Sequence, residues 1–339
     1  MQKQHVFFIF VIALASLFGS QSSKGQIQMH LNSEIGTWIP FLPDYRAGSI
    51  VNTARVPIQR DVYTSEIIDV GMNFGLNGHF HLAKDSRWMI DFDLNLASAN
   101  STGSTQFVAD PGFGQSVWFP SLDGKGFTAS RDGGGVTFSL DSDSLFYGEY
   151  AGIRRQLNAS KIGLEYFDFG GGFTHSAIEQ EHLLTANFDI AQSQGRYIED
   201  LDSTYLGGEI RSKMIKRIMG GVLIVDWGMG FLWMHGDYEG TSIIDFPLDP
   251  SIESTATEVI DAFAVSVDFA LKTEHVIFGK TMRPGISFKY ISDIATINHP
   301  QTLEGIVDAP LASSRPADSV SLTTSSGYFL GLNLEVDLY

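Results

Sequence analysis

The chain has no cysteine among its 339 residues, so a disulfide framework and a cysteine-linked lipid anchor are both excluded. Positive charge is scarce: 22 Lys and Arg face 39 Asp and Glu, a formal net charge of −17. Such a balance repels phosphate backbones and argues against nucleic-acid binding. Long apolar runs are also missing. The one candidate, Val6 to Phe18 in "MQKQHVFFIFVIALASLFGSQSSKGQ", is too short to cross a bilayer as a helix. With Lys3 before it and small residues after it, this stretch reads as a secretory signal over residues 1–25, leaving 26–339 as the exported body. Prolines are few, at 11, whereas glycine (35 residues) and aromatics (12%) are plentiful.

What is present is alternation. In "IIDVGMNFGLNGHFHLAKDSRWMIDFDLNL", residues 67 to 96, one face holds Val70, Met72, Phe74, Leu76, Phe80 and Leu82, then Trp88, Ile90, Phe92, Leu94 and Leu96. The other holds Asp69, Asn73, Asn77, His79, His81, Asp91, Asp93 and Asn95. A period of two specifies strands, and the polar break "KDSR" makes this a hairpin. The same pattern predicts strands at 27–39, 67–83, 88–98, 145–157, 161–174, 204–215, 220–236, 258–273, 280–292 and 326–339. Connections alternate between short (84–87, 158–160, 216–219, 274–279) and long (40–66, 99–144, 175–203, 237–257, 293–325).

That alternation places every long connection at one end of a sheet and both termini at the other. Short periplasmic turns opposite long extracellular loops are the habit of membrane barrels, and soluble folds keep most loops short at both ends. The strands are also longer than the five or six residues usual in soluble proteins. The expected fold is all-β: a transmembrane antiparallel up-and-down barrel of about ten strands, within a range of eight to twelve. Its Phe, Leu and Trp face meets lipid and its Asp, Asn and His face meets the lumen. Export through the signal segment then leads to a bacterial outer membrane.

With these features the chain resembles the Gram-negative outer-membrane β-barrel class, and more loosely the pore-forming barrels described as major-outer-membrane-protein-like. The terminal strand "GYFLGLNLEVDLY" contributes to that resemblance. Members of the class end on an aromatic residue read by the outer-membrane assembly machinery, which implies that machinery as a partner and Tyr339 as the residue it reads. The apolar set Tyr328, Leu330, Leu332, Leu334, Val336 and Leu338 is one residue out of phase with Tyr339, which a bulge would repair.

Lumen-facing candidates are Asp69, His79, His81, Asp91, Asp93, Asp226, Asp268, Arg283 and Lys289. If the first hairpin closes on a three-residue loop, His81 opposes Asp91 and His79 opposes Asp93. Such a set could titrate near neutral pH or ligate a metal, but a hydrogen-bonded network lining a polar lumen explains it first. The acidic extracellular loop is assigned Asp237, Glu239, Asp245, Asp249 and Glu253, while Lys84, Arg87, Arg154, Arg155, Lys161, Lys213, Lys216, Arg217, Lys272 and Lys280 gather at the short turns. The glycines at 71, 75, 228 and 230 widen the lumen.

The omptins, ten-stranded barrel proteases, use an Asp-x-Asp pair with an Asp/His pair at the extracellular rim, and this chain has Asp91-x-Asp93 and His235-x-Asp237. The alternation puts those pairs at opposite ends, beyond hydrogen-bond reach of one water. "DSDS" at 141–144 lacks the fuller spacing of a calcium loop. No catalytic residue, metal or cofactor is expected. The expected function is a narrow porin-like channel for small solutes or cations through outer-membrane lipid; the alternative is a structural or adhesive barrel that binds a partner through acidic loops.

Overall fold

The computed structural model describes residues 29–51, 57–65, 69–83, 86–108, 115–130, 134–189, 192–218, 221–300 and 319–338. The stretch 1–25 expected to be a signal and Tyr339 lie outside them. Ten strands close into an antiparallel barrel: β1 (Met29–Phe41), β4 (Gly71–His81), β5 (Trp88–Val108), β8 (Gly135–Gln156), β9 (Tyr166–Phe188), β10 (Gln194–Ile218), β11 (Gly221–Asp245), β12 (Ile252–Ile277), β13 (Lys280–Asn298) and β14 (Ser321–Asp337). Each pairs with its neighbour in the chain, and β1 closes the ring by pairing with β14. Four further strands form a separate sheet in the order β3-β2-β6-β7: β2 (Tyr45–Val51), β3 (Pro57–Ser65), β6 (Ser116–Pro120) and β7 (Phe127–Ala129).

Alternation fixes which face looks out. Val70, Met72, Phe74, Leu82, Trp88 and Leu96 are exposed, whereas Asn73 and Asp91 are buried. Around the wall the register lines outward residues into cross-strand rows: Arg155, Phe169, Ser212, Trp227 and Phe269 in one, and Glu149, His175, Leu206, Trp233 and Phe263 in a row six residues higher. Large apolar side chains fill most of this zone. It extends from Leu271 to Phe263 on β12, eight steps of about 3.3 Å each along the strand, in keeping with a tilted strand and an apolar band about 25 Å tall.

The strands do not stop at the top of the band. From β8 to β12 they run 22 to 26 residues, so roughly half of each rises above the membrane. There the phase of the alternation is exchanged. On β11 the outward Phe231 and Trp233 give way to outward His235, Asp237 and Glu239, and the inward Gly228 and Gly230 give way to inward Leu232, Met234, Tyr238 and Ile244. The upper half is thus a water-facing head with an apolar interior. The two expected loops at 175–203 and 237–257 are mostly strand, joined by tight connections at 189–193 and 246–251. Reading them as loops equated apolar-outward alternation with strand, and acidic outward positions broke that rule.

The head interior is packed by the extra sheet, which the long connections at 42–70 and 109–134 supply. Tyr45, Ala47, Ile50, Tyr63, Val117 and Phe119 are all buried. Tyr63 stacks on Phe138 of β8 at 5.3 Å, and Phe119 stacks on Tyr197 of β10 at 4.3 Å. The Tyr197 hydroxyl donates to the Pro120 carbonyl at 2.5 Å, and Leu122 N donates to Ser242 Oγ at 3.0 Å. At the opposite end β12 and β13 are joined by a tight turn. Phe278 and Gly279 both take positive φ, 51° and 75°, the left-handed pair that a two-residue hairpin turn requires.

Candidate functional site

Below the head, within the membrane zone, the inward positions are small or polar. They enclose a cavity of about 250 Å³. Its ceiling is aromatic: Trp38 of β1 stacks on Phe329 of β14 at 5.6 Å, and Phe146 of β8 lies 5.9 Å from Phe329. Above this layer begins the packed interior of the head, so the path through the barrel is closed at its outer half in this structure.

Ion pairs cross the chamber between strands. Arg154 meets Asp91 at 3.0 Å and Asp168 at 3.3 Å. Arg211 meets Asp93 at 3.0 Å and Glu209 at 2.5 Å, with its guanidinium 3.7 Å over the Tyr150 ring. Lys289 meets Asp268 at 3.0 Å and lies 5.5 Å from the Phe146 ring centroid. Lys272 joins Glu34 at 3.0 Å to Glu335 at 2.6 Å. Toward the short-turn end, Arg283 gathers Glu274 and Glu335, each at 2.9 Å, together with Asp337. Every described Arg or Lys side chain in this set thus has its carboxylate, as charges drawn from water require.

The surplus is on the acceptor side. Asp91 Oδ1, Asp268 Oδ2, Glu209 Oε2, the side-chain oxygens of Asn73, Asn95 and Asn333, and the Tyr150 hydroxyl are buried without a hydrogen-bond partner, and all seven residues line the chamber. A solute carrying hydrogen-bond donors or positive charge suits this lining.

Of the lumen candidates, His79, Asp91, Asp93, Asp226, Asp268 and Lys289 line the chamber; Asp69, His81 and Arg283 do not. Asp69 is buried just before β4 begins, and His81 Nδ1 lies 3.1 Å from the Ser86 carbonyl. The expected His/Asp pairing is displaced by two residues. His79 opposes Asp91, Asn77 opposes Asp93 and His81 opposes Met89, because Leu82 N donates to Trp88 O at 3.1 Å and the hairpin closes on a longer turn than three residues. His79 stacks on His30 at 4.8 Å while Asp91 turns to Arg154, so the two residue types do not form a joint site. Among the described residues no cluster of His, Asp and Glu is arranged to hold a metal ion. Glu34, Arg154, Glu209, Arg211, Lys272 and Glu335 belong to the network and were absent from the sequence-derived lumen set, although the inward parity of their strands marks them.

The acidic residues assigned to a loop are instead on the wall of the head. Asp237, Glu239 and Asp245 are on β11 and Glu253 is on β12; Asp249 alone is in the connection. The register aligns Asp143, Glu181, Asp200 and Glu239 in one outward row, and Glu179, Asp202 and Asp237 in the row below. "DSDS" is likewise strand, with Asp141 and Asp143 outward and Ser142 and Ser144 inward. Like charges facing across strands repel. Asp202, on the outer face among Glu179, Asp237, Asp200 and Glu181, has its carboxyl pushed up to about 6, by lost hydration first and by these neighbours second.

Inside the head, four strands and the segment after β13 meet at one buried carboxylate. Glu199 accepts from the hydroxyls of Tyr45 and, at 2.7 Å, Tyr238, and faces His299 Nε2 at 2.8 Å. His299 Nδ1 lies 2.7 Å from the Arg46 carbonyl, and its ring stacks on Tyr197 at 5.0 Å. Burial acts against the charge on Glu199, but His299 and the two hydroxyls prevail and hold it below the usual carboxylate range. His182, edge-on to Tyr45 at 5.0 Å, is pushed down to about 4 by burial.

No family model matches the chain and no curated protein matches it. Among solved structures, the toluene transporter TodX of P. putida aligns over 93% of this chain and 90% of its own at 8% identity, with a TM-score of 0.18. A Pseudomonas aeruginosa FadL homologue aligns over 91% and 90% at 6% identity and a TM-score of 0.23. An anion-selective porin from Comamonas acidovorans aligns over 92% and 100% at 11% identity and a TM-score of 0.17. All three are barrels to which this chain is similar in outline. At these scores the similarity carries no argument about what this chain transports or binds.

Proposed function

We propose that the protein is an outer-membrane barrel whose working part is its projecting head, a rigid platform that presents an acidic wall to a partner of opposite charge. The observation behind this reading is the filled head interior. Leu42, Tyr45, Ile50, Tyr63, Val117, Phe119 and Leu122 of the inserted segments are all buried against the barrel wall. Each such side chain is worth roughly 1.5–3 kcal/mol, so withdrawing them together would cost on the order of 10 kcal/mol or more. Thermal fluctuation does not clear such an obstruction at a useful rate. The acid rows on β8 to β11 face outward from this framework, and a field of that sign draws in positively charged partners.

A second reading, a narrow channel for small cations, is favoured by one observation. The chamber carries buried acceptor oxygens in excess of its donors, within the membrane zone. In this reading the aromatic layer of Trp38, Phe146 and Phe329 is the gate, and only a local opening beside the inserted sheet would admit an ion.

Planar-bilayer recording on refolded protein, under a salt gradient, separates the two. The platform reading expects inserted, heat-modifiable protein with no conductance above the bare bilayer. Reproducible steps with a cation-selective reversal potential would overturn it in favour of the channel.

A further inference from the structure

The outward face of the membrane zone is not uniform. In the row Ile90, Ile153, Gly171, Ile210, Met229, one position has no side chain. Gly171 is therefore a notch between Ile153 and Ile210, and a Cβ built there would first meet the Glu209 carbonyl at 3.1 Å. The row above holds small Ala151 and Gly208 on either side of Phe173, and Gly208 has open space over it, with a single backbone oxygen at 3.9 Å. The result is a groove of about 540 Å³ walled by Trp88, Ile153, Leu157, Phe169 and Ile210, all exposed apolar side chains.

Arg155 closes the end of this groove nearest the short turns. Its guanidinium lies 5.4 Å from the centroid of the Trp88 ring, an arrangement that holds an arginine at the depth where amphipathic rings settle. Among the described residues no carboxylate lies within ion-pair distance of Arg155, in contrast to Arg154 next to it, which has two. Arg155 thus sits as a single unpaired cation at the end of an apolar trough along the barrel wall.

We propose that this groove is the seat of one anionic glycerophospholipid from the leaflet at the short-turn rim, its phosphate against Arg155 and one acyl chain laid along the Gly171 notch. The apolar trough alone would accept the chain of any lipid. The Arg155 guanidinium, with no carboxylate of its own, selects for net negative charge in the headgroup, since a zwitterionic lipid brings its own ammonium to compete for the phosphate. The inference needs only that the barrel spans a membrane, and it holds for either reading of the head.

Native mass spectrometry of the protein released from mixed micelles containing equal phosphatidylglycerol, phosphatidylcholine and lipid A tests it. One phosphatidylglycerol is expected to survive activation at least fivefold more often than one phosphatidylcholine. Arg155→Gln should abolish that preference, and Gly171→Leu should lower retention of every lipid. Equal retention of phosphatidylglycerol and phosphatidylcholine by the unaltered protein overturns the proposal, as does an unchanged preference in Arg155→Gln. Stronger retention of lipid A overturns the choice of a glycerophospholipid. Heat-modifiable migration checks the fold of each variant; if Gly171→Leu does not close its barrel, Arg155→Gln decides alone.

Discussion

The lower and upper halves of this molecule share the long strands β8 to β12, yet each is the other turned inside out. In the membrane zone Phe231, Trp233 and Phe263 face outward while Asp226, Asp268 and Lys272 face inward; in the head Asp237, Glu239 and Asp200 face outward while Tyr197, Leu201 and Tyr238 are buried. The backbone ladder continues through the change, with β10 and β11 paired in unbroken register from Gln194–Asp245 to Ile218–Gly221. Solvent on each side of the wall, and not backbone geometry, decides which parity carries the apolar residues. The lower half therefore depends on ion pairs to satisfy its interior, and the upper half on apolar packing.

That contrast should be visible when each interior is damaged. Phe138→Ala, which empties a fully buried site under Tyr63, should cost the head about 3–5 kcal/mol. Limited proteolysis would show the head opening while the barrel stays heat-modifiable; loss of both together would mean the halves are one cooperative unit. Lys272→Met strands Glu34 and leaves Glu335 with Arg283 alone and should cost the membrane half about 3 kcal/mol, read as a lower urea midpoint in micelles. A double change that also makes Glu34→Gln should recover part of that loss.

Acid should loosen the head before the barrel. His182 titrates in the unfolded chain near the ordinary imidazole value of 6.5 but is held near 4 when folded, so the native state binds fewer protons between those values. Stability is then lost as pH falls from about 6.5 towards 4. Glu199 acts with the same sign at lower pH, because its depressed carboxyl contributes above its unfolded value and loses that contribution on protonation. Amide exchange across residues 176–203 should accelerate through this window. Asp202 has the opposite sign: its carboxyl is raised to about 6 from 3.8, so its charge costs stability above that pH. Asp202→Asn should stabilise the head by a few tenths of a kcal/mol at pH 8 in low salt, the smallest effect here. The gain should shrink below about pH 6 and vanish only below about pH 4, as judged by melting of near-ultraviolet dichroism.

Much of the lower half was legible in the sequence. Alternation in 67–96 placed Val70, Met72 and Phe74 outward and Asn73 and Asp91 inward, and the short-end connections near 84–87 and 278–279 fall where expected. The one expected at 158–160 instead runs from 157 to 165 around a 3-10 turn at Ala159–Ile162, where a strand from 161 was expected. Strand number also followed, since each apolar-outward stretch seeds one strand. The head was not legible because the rule used to find strands assumes one environment per face, and that environment changes at Trp233. The sheet of β2, β3, β6 and β7 escaped for a related reason: its strands are short, and their partners lie far away in the chain, as Ile50 with Val117. In the chamber, inward carboxylates such as Asp91 were readable by parity, but their partners were not. That Asp91 pairs with Arg154 and not with His81 depends on register, and register depends on a turn two residues longer than the sequence suggests.

The aromatic ceiling has a consequence for how the chain matures. Trp38 belongs to the first strand and Phe329 to the last, and the two strands meet only where the ring is sealed. The stack therefore reports completion: an intermediate lacking the β1–β14 seam has no ceiling, however many of the other strands have paired. The interior of the head shares this dependence, because Val320 at the start of the last strand donates its amide to Leu122 at 2.9 Å. Completion of the upper half thus waits on β14, and a chain shortened by its last twenty residues would retain most of its hydrogen-bonded wall yet have no finished interior.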